Sequence, residues 1–270
     1  MIAEGKTKII LEISPGEVFI KNKDDITAGD GAKRDVLKNK AVFSTTTTSN
    51  CFRLLNEKGI HTHFIKQVEE RTFKARRLEM IPIELVSRRI ATGSYLNRNL
   101  EVKEGTIFDQ LVIEFFLKDD ARHDPLMVWD EKSQRFKLYS AKLPILSESY
   151  IGDLSKDFPQ YSNIPEISKE IKLLSRILIF VFTILENAWT EQKVTLVDLK
   201  IECGYDAITG EILVGDVIDN DSWRIWPYGD KSQMKDKQVY RNLNETTTKA
   251  LKDISKNYAW VAKATSKFFL

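Results

Sequence analysis

The sequence predicts a folded globular protein that combines antiparallel β-hairpins with long amphipathic helices. Alternating apolar and charged residues bounded by turn residues indicate one hairpin near the N-terminus and a second between Leu196 and Arg224. Apolar residues at helical spacing indicate one helix from Pro165 to Trp189 and another from about Thr247 to Phe268. At 270 residues the chain is long enough for one large domain or two lobes, with a sizeable core in either case.

Charge balance and cysteine content argue against several classes of protein. The 41 basic and 39 acidic residues leave a formal net charge of +2, which argues against bulk nucleic-acid binding. Cys51 and Cys203 are far apart in apolar patterns, so we expect no disulfide and a reducing compartment. No apolar signal segment is visible, and the longest apolar run, Leu173 to Leu185, is too short to span a bilayer. We therefore expect a soluble cytoplasmic protein that binds neither nucleic acid nor membrane.

The N-terminal hairpin contains the first candidate binding residues. Strands are predicted from Lys8 to Ile13 and from Val18 to Lys21, around turn residues 14–16. Lys6 and Lys8 lie beside a flexible glycine and could approach phosphate groups, although a solvated basic strand end is the more common meaning of such a pattern. Neither of the two standard glycine-rich phosphate loops occurs in the chain.

A glycine-punctuated polar loop from Ile26 to Asp35 follows the hairpin. It ends in Lys33 and Arg34, which could hold a small anion or belong to an ordinary turn. The segment STTTTS at 44–49 is predicted to begin a helix that Gly59 ends. The histidines that follow have no ligand-spaced cysteines, so a zinc site is not predicted.

The middle of the chain is predicted to contain a strand followed by two candidate loops. Pro82 interrupts the strand from Glu79 to Val86 and predicts a strand end or a hinge between lobes, because it removes a ladder hydrogen bond. The run from Arg88 to Ser94 can hold a phosphate or can simply end a strand at a helix cap. The run FFLKDDARHDP at 115–125 contains many charged residues. Such a loop at a strand end is often a binding site and more often a solvent-facing loop. Between about 130 and 163 no clear period is visible, so this segment is predicted to be irregular.

The hairpin after the long helix contains the strongest candidate site. In its first strand, Asp198, Lys200 and Glu202 alternate with apolar residues and therefore share one face. In the second strand, predicted from Glu211 to Ile218, Asp216 becomes the diagonal neighbour of Glu202 at roughly 7–8 Å. Mg²⁺ takes one or two protein carboxylates and completes its shell with water and substrate phosphates, so this pair suits a nucleotide–metal site. A solvated cross-strand charge pair is the competing interpretation.

Three stretches together resemble the SAICAR synthetase family, the phosphoribosylaminoimidazole-succinocarboxamide synthases of purine biosynthesis. They are MIPIELVSRRIATGS at Met80–Ser94, LVDLKIECG at Leu196–Gly204 and GDGAKR at Gly29–Arg34. The runs DVIDNDSWRIWP and DKQVYR resemble the animal-type enzyme, in which this domain is fused to a carboxylase. Cys203 stands where relatives usually have phenylalanine, which should affect packing more than catalysis. The fused carboxylase is absent after Leu270, which leaves a stand-alone enzyme or an isolated domain. Because the carboxylase builds the oligomer in the fused protein, the assembly state, including a homo-oligomer, is open.

The resemblance implies an α+β fold in two lobes with a cleft for ATP. Residues 1–84 would form a kinase-like, nucleotide-covering lobe with an antiparallel sheet, and residues 85–270 would form a larger lobe that binds substrate and metal. The implied reaction joins 5-aminoimidazole-4-carboxylate ribonucleotide to L-aspartate and converts ATP to ADP and phosphate. Because an amine does not expel an oxide from a carboxylate at useful rates, the implied route passes through an acyl phosphate.

The resemblance also implies a role for each candidate residue. The magnesium ligands would be Glu202 and Asp216, with Mg²⁺ as cofactor. ATP would contact Lys6, Lys8, Glu79, Met80, Ile81 and Glu84. The nucleotide substrate and the loop closing over it would involve Arg88, Gly93, Ser94, Asp124 and Arg224, and further anion-binding residues would be Lys33, Arg34, Lys237 and Arg241. The reacting groups would lie near Asp198, Lys200 and Lys118.

Two other functions stay open on the sequence alone. A small-molecule or protein kinase would share a two-lobed ATP cleft, but no HRD-type loop or DFG triplet is present, and Asp216 is followed by Val217 and Ile218. A non-catalytic nucleotide-binding domain predicts the loss of some charged site residues, whereas all of them are present. The ligase therefore ranks first. Asp198 is only a candidate for the proton acceptor of the attacking amine.

Overall fold

The computed structural model describes residues 1–29 and 31–269, which form two compact units. The first unit comprises Met1–Met80, Thr183–Leu196 and Cys203–Leu270, and the second comprises Ile81–Phe182 and Val197–Glu202. Two later segments thus belong with the N-terminal part, whereas the predicted lobes divide the chain once, after residue 84. That lobe division stays a prediction. Asp30, inside the predicted anion-binding loop, lies outside the described residues.

In the described residues the strands come in groups that are separated by helices. The strands are β1 (Ala3–Glu4), β2 (Lys8–Ser14), β3 (Glu17–Asn22), β4 (Asp25–Ala28), β5 (Lys33–Val36), β6 (Phe64–Glu69), β7 (Thr72–Arg76), β8 (Leu78–Ile90), β9 (Ile107–Leu117), β10 (Leu126–Asp130), β11 (Arg135–Tyr139), β12 (Tyr150–Asp153), β13 (Val194–Asp206), β14 (Ile212–Gly215) and β15 (Trp223–Pro227). The helices are α1 (Lys40–Glu57), α2 (Ser94–Arg98), α3 (Leu154–Asp157), α4 (Ile164–Thr190), α5 (Gln238–Arg241) and α6 (Thr248–Thr265). The predicted combination of antiparallel sheets and helices is confirmed.

The first unit contains an antiparallel sheet in the order β1-β2-β3-β7-β6. The N-terminal hairpin is confirmed, with Lys8 opposite Asn22 and Ile10 opposite Ile20. Ile20 is in turn opposite Phe73 in β7, and both side chains are buried. Alternation of apolar and polar residues along β3 therefore produces one core-facing side, as the sequence indicates.

Helix α1 begins at Lys40, earlier than the predicted start in the STTTTS segment. That segment lies inside the helix, and five of its six hydroxyl residues are more than 95% buried. The helix start depends on a distant residue, because the Asp24 carboxylate accepts a hydrogen bond from the Ala41 backbone N–H at 2.9 Å. Gly59, at φ +82°, follows the helix as predicted.

The second unit is built on a sheet in the order β12-β11-β10-β9-β8, with β13 beyond β8. The prediction that Pro82 ends its strand is wrong, since β8 continues to Ile90 and pairs with β9 from Ile83 onward. A proline lacks only the N–H group, and the Pro82 carbonyl still accepts a hydrogen bond from the Lys118 N–H at 2.9 Å.

The segment from 130 to 163, predicted to be irregular, contributes two strands and the short helix α3. β10 and β11 form a regular hairpin from Leu126 opposite Tyr139 to Asp130 opposite Arg135. Phe136 and Leu138 alternate with exposed or half-buried neighbours in β11, and this alternation is a strand signal that the sequence interpretation passed over.

The long helix α4 and the final helix α6 are confirmed within about one residue at most ends. Further apolar residues at 173, 177, 180 and 184 widen the apolar stripe of α4 and predict a mostly buried helix. This prediction is wrong for Leu173 and Phe180, which are 45% and 59% exposed. Thr247 caps α6 by accepting a hydrogen bond from the Ala250 N–H at 3.1 Å. In the part of the chain that the structure describes, no helix is long and apolar enough to cross a membrane.

The hairpin after α4 is confirmed, with one change that affects the site. Asp206 organises the turn, since its Oδ1 accepts hydrogen bonds from the N–H groups of Ile208 and Thr209. β14 ends at Gly215, so Asp216 follows the strand instead of lying on its face. The polar and aromatic segment from Asp219 to Trp226, for which the sequence predicts a loop, is partly a strand, β15, which pairs with β13. Both cysteines, Cys51 and Cys203, are buried free thiols, as expected.

Candidate active site

In the first unit, Lys8 and Asp216 form an ion pair between the first hairpin and the end of β14. Asp216 has φ 57°, a left-handed conformation that a non-glycine residue seldom adopts without a local reason. The His63 ring contributes to that reason, because its Nε2 lies 3.0 Å from the Asp216 carbonyl oxygen. The predicted site residues Lys8 and Asp216 are therefore brought together.

His63 is a site residue that the sequence interpretation missed. Its side chain is buried, and burial, together with the charge of Lys8, lowers the pKa of His63 to about 3. The neutral ring must donate from Nε2, because a carbonyl oxygen can only accept. Edge-on contacts with Phe52 and Phe73, at centroid distances of 5.3 and 5.8 Å, fix the ring plane. His63 thus holds the backbone of Asp216 in place.

Two glycines lie beside the predicted adenine-contact residues, Gly204 against backbone atoms and Gly215 against side chains. A Cβ atom on Gly204 would lie 2.9 Å from the Glu79 carbonyl oxygen, and one on Gly215 would lie 2.7 Å from a Leu78 methyl group. Glu79 and Met80 both have exposed side chains there. The glycine of the ECG motif is therefore required by the approach of β8 to its neighbour.

In the second unit, lysines and glutamates of three strands form a chain of alternating charge. Lys200 Nζ lies 2.7 Å from a Glu84 oxygen and 3.6 Å from Glu202 Oε1. Lys118 Nζ lies 2.8 Å from the other oxygen of Glu202. Glu202 is buried and its carboxylate is thus held between two ammonium groups. This cluster therefore brings together four of the predicted site residues, namely Glu84, Lys118, Lys200 and Glu202.

A second charged cluster in the same unit is buried. Arg88 donates from Nε to Glu114 at 2.6 Å and from Nη1 to Asp198 at 3.0 Å. Arg98 donates to the other oxygen of Glu114. Arg88 and Asp198 are predicted residues, whereas Glu114 and Arg98 were missed. A single glutamate inside the apolar run of β9 was the available signal, since buried charges occur when they are paired.

The remaining predicted residues of the second unit lie in two loops. Gly93 has φ 61° and precedes α2, whose first residue, Ser94, is exposed. Asp124 has φ 50°, and its Oδ1 accepts a hydrogen bond from the Asp119 N–H at 2.9 Å. Burial raises the pKa of Asp124, and Glu84 and Asp120 add to that rise. Ile81, predicted to contact adenine, is a buried side chain of β8.

The remaining predicted basic residues of the first unit differ in their hydrogen-bond and ion-pair partners. Lys33 donates to the Tyr240 and Leu243 carbonyls, and Lys237 forms a 2.8 Å ion pair with Asp221. Arg34 forms an exposed ion pair with β4.

Arg224 and Arg241 both contact the side-chain oxygen of Gln238, at 3.3 and 3.5 Å. Lys6 lies beside the glycine loop, since a Cβ atom on Gly31 would be 3.3 Å from its Nζ. The structure therefore brings two of the predicted arginines together and places one predicted lysine at the loop.

The predicted metal ligands, Glu202 and Asp216, belong to different units, and their pairing stays a prediction. Within the described residues, His, Cys, Asp and Glu side chains form no group of three or more that could hold a metal ion. Two carboxylates with substrate phosphates are the more usual arrangement for Mg²⁺, so this finding does not bear on such a site.

A cavity of about 1060 Å³ in the second unit has a mainly apolar lining that includes Phe115, Met127 and Phe136. None of the predicted site residues lines it, and its charged lining includes Arg98 and Glu114. Arg98 and Glu114 therefore belong both to this lining and to the buried charged cluster.

An α+β fold with lysine–carboxylate and arginine–carboxylate clusters at its strands defines an enzyme-type site for anionic ligands. The family model described as SAICAR synthetase matches residues 1–258. The bifunctional phosphoribosylaminoimidazole carboxylase/succinocarboxamide synthetase of Homo sapiens is 46% identical over 262 residues, which cover 96% of this chain and 56% of the relative. A phosphoribosylaminoimidazole-succinocarboxamide synthase of Roseiflexus sp. (strain RS-1) is 45% identical over 98% of this chain and 95% of the relative.

Solved structures agree with these relatives. A SAICAR synthetase (Type-2) in complex with ADP has a TM-score of 0.74 at 27% identity and covers 96% of this chain and 97% of its own. The Ehrlichia chaffeensis phosphoribosylaminoimidazole-succinocarboxamide synthase has a TM-score of 0.75 at 26% identity, with 98% of each chain covered. The chain belongs to the SAICAR synthetase family, a family of ATP-dependent ligases of purine biosynthesis. It spans about half the length of the animal relatives it matches.

Proposed function

We propose that this chain joins 5-aminoimidazole-4-carboxylate ribonucleotide to L-aspartate and converts ATP to ADP and phosphate. Family membership and the ADP complex of a relative support the use of ATP. The observation that carries the proposal is strand β13, on which Asp198, Lys200 and Glu202 are each engaged by charged partners. A ligase that handles two carboxylates and a triphosphate needs such placed charges.

We assign the ATP site to the first hairpin and the start of β8. Lys6 and Lys8 supply ammonium groups for the phosphates, and Lys8 can move its ammonium from Asp216 to a phosphate oxygen. Glu79, Met80 and Ile81 supply backbone groups for adenine, at the place where Gly204 allows close approach. Glu84 is the last residue that we assign to the ATP site, and its carboxylate contacts Lys200.

We propose Mg²⁺ as the cofactor, with Glu202 and Asp216 as its protein ligands. Both side chains are carboxylates that already accept cationic groups, which is the donor chemistry that Mg²⁺ requires. When bound, Mg²⁺ supplies charge neutralisation for the ATP phosphates. Lys8, Lys118 and Lys200 neutralise the same carboxylates in the absence of substrate and can redirect their N–H groups to anionic substrate oxygens.

The proposed route has two steps. First, a carboxylate oxygen of the nucleotide attacks the γ-phosphorus, the bond to ADP breaks, and an acyl phosphate forms. Second, the aspartate amine attacks the acyl carbon, phosphate leaves, and the amine loses a proton. Lys118 and Lys200 are proposed to hold the anionic oxygens in both steps, and Asp198 to accept that proton.

We propose that the nucleotide substrate is held by Arg88, Gly93, Ser94, Asp124 and Arg224. The guanidinium of Arg88 and the hydroxyl and backbone of the turn that follows suit a phosphate. Lys33, Arg34, Lys237 and Arg241 are proposed as further anion-binding residues. Among them, Arg241 has the most direct support, because it shares Gln238 with Arg224.

A cytoplasmic location is proposed from the chemistry of the chain. Both cysteines are free thiols, and the substrates are charged phosphorylated metabolites. Cell fractionation with antibody detection checks this, and recovery of the protein in a membrane or secreted fraction would contradict it.

The test is an assay of ADP release with Mg²⁺, the carboxylated ribonucleotide and L-aspartate, each omitted in turn. We expect ADP release that needs both substrates, with a succinyl-bearing nucleotide as product. Glu202→Gln and Asp216→Asn should each lower kcat by about 100-fold or more, because each removes a charge near the phosphates. Glu12→Gln, which alters an exposed ion pair with Arg77, is the control. ATP binding without turnover would contradict the ligase, and aspartate-independent ADP release would indicate a kinase or an uncoupled first half-reaction.

A further inference from the structure

The buried cluster in the second unit consists of two arginines and two carboxylates. Arg88, Arg98, Glu114 and Asp198 are each at most 8% exposed. Glu114 lies between the arginines, because one of its oxygens accepts from Arg88 and the other from Arg98. Glu114 and Arg98 have no role in the proposed reaction. Glu114 nevertheless contacts Arg88 directly, and Arg98 contacts Glu114.

The bonds of Arg88 determine how its guanidinium is oriented. A guanidinium has five N–H donors in one plane, and Arg88 uses Nε toward Glu114 and Nη1 toward Asp198. Two acceptors on different edges fix both the position and the rotation of the plane. Neither bond uses the Nη2 group of Arg88. The direction of its N–H bonds is therefore set by the two contacts that fix the guanidinium plane. Loss of Glu114 would remove one of these two acceptors and leave Arg88 positioned by Asp198 and by the Tyr95 ring, whose centroid lies 5.9 Å from the guanidinium carbon.

The charges of the cluster explain why a second arginine is present. Arg88, Glu114 and Asp198 alone would carry a net charge of −1, and an anionic substrate would be repelled. Arg98 brings the sum to zero. Its side chain is 1% exposed and donates also to the Ala141 carbonyl at 2.5 Å, so this charge is held in place by the fold.

We propose that Glu114 and Arg98 are positioning residues for the nucleotide substrate. Glu114 orients Arg88 and, through it, Asp198, while Arg98 cancels the charge of Glu114 so that the site stays receptive to an anion. This inference rests on the proposed function, because it is there that Arg88 and Asp198 are assigned to the substrate. It predicts effects on the ribonucleotide substrate that do not extend to ATP.

The experiment compares Glu114→Gln, Arg98→Met and the double variant. In Glu114→Gln an amide N–H₂ group must face an arginine N–H, so one arginine loses its acceptor. We expect each single variant to raise KM for the ribonucleotide by about tenfold or more, with KM for ATP within about twofold of the unaltered protein. The double variant removes one charge of each sign, and its KM should lie below that of either single variant.

Two further variants keep the result interpretable. Asp130→Asn alters an ion pair with Lys137 on the same sheet and should leave both KM values unchanged. Glu114→Asp keeps the charge and both oxygens on a shorter side chain, so its KM should be intermediate. It also serves as the test if Glu114→Gln does not fold, as judged by its melting temperature.

Equal increases in both KM values, or a double variant no better than the worse single variant, would indicate a purely structural cluster and overturn the inference. Unchanged KM values in Glu114→Gln and Arg98→Met would overturn it as well, while the ligase activity of the unaltered protein stands. Absence of turnover in the unaltered protein would instead overturn the proposed function, and the inference with it.

Discussion

Single residues decide the geometry of this site through contacts that are distant in sequence. Asp216 follows His63 by more than 150 positions, and yet the His63 ring bonds its carbonyl oxygen. Glu114 and Arg98 lie 16 positions apart on different elements. Residue types and spacing identified Asp198, Lys200 and Glu202, because alternation in a strand is local information. They could not identify partners that only the folded chain brings together.

His63 leads to a prediction about stability and pH. Its pKa is about 3 in the folded chain and ordinarily 6.5, so the unfolded chain binds more protons between these values. The stability that neutral His63 provides is complete above pH 6.5 and is lost as the pH falls toward 3. From this residue the free energy of unfolding should therefore fall by up to about 1.4 kcal/mol per pH unit in that window.

Urea unfolding at several pH values checks this prediction with two matched variants. His63→Gln can still donate to the Asp216 carbonyl but does not titrate, so its stability should depend less steeply on pH than that of the unaltered protein. His61→Gln changes an exposed histidine paired with Glu211 and should keep the original slope. Equal slopes for His63→Gln and the unaltered protein would contradict the assignment.

At the scale of elements, local signals located the hairpins and the two long helices. Period-two alternation and turn residues sufficed for β2–β3 and β13–β14, and a continuous apolar stripe sufficed for α4. The failures have non-local causes. The start of α1 depends on Asp24, 17 positions before the N–H that it caps. β8 continues past Pro82 because the Pro82 carbonyl still accepts a hydrogen bond from the Lys118 N–H. β11 was missed because five residues of alternation are a weak signal between irregular neighbours.

The approach of β13 and β14 to the start of β8 leads to a prediction with two glycine variants. Gly204→Ala would place its Cβ 2.9 Å from the Glu79 carbonyl oxygen, so backbone must move. Gly215→Ala meets only the ends of the Leu78 and Met80 side chains, which can turn aside. Because overpacking costs about 1–3 kcal/mol, Gly204→Ala should lower stability by about that amount and raise KM for ATP.

Gly215→Ala is the matched comparison and should have the smaller effect on both quantities. Thermal unfolding and the KM for ATP, measured on the same preparations, provide the check. If Gly204→Ala binds ATP as the unaltered protein does, the backbone at Glu79 and Met80 does not contact the nucleotide.

At the scale of the whole molecule, the short runs of sequence that resemble the family are not confined to one compact unit. The runs Met80–Ser94 and Leu196–Gly204 each contain residues of both units. Binding of substrate to residues of either unit should therefore be visible as a change in the stability of the chain. A ligand that binds only the folded state stabilises it by about 2.7 kcal/mol at one hundred times its Kd.

We expect ADP with Mg²⁺ to raise the melting temperature of the chain and a chelator to remove most of that increase. The proposed protein ligands are only two carboxylates, so without the metal the nucleotide phosphates face Glu202 and Asp216 directly, and affinity should fall. The chelator without nucleotide should leave the melting temperature unchanged, because two protein carboxylates need substrate phosphates to complete the Mg²⁺ shell. Asp216→Asn should show a smaller increase with ADP and Mg²⁺ than Glu12→Gln does. A chelator-insensitive increase would mean that the nucleotide binds without the metal and would contradict the assignment of these two carboxylates.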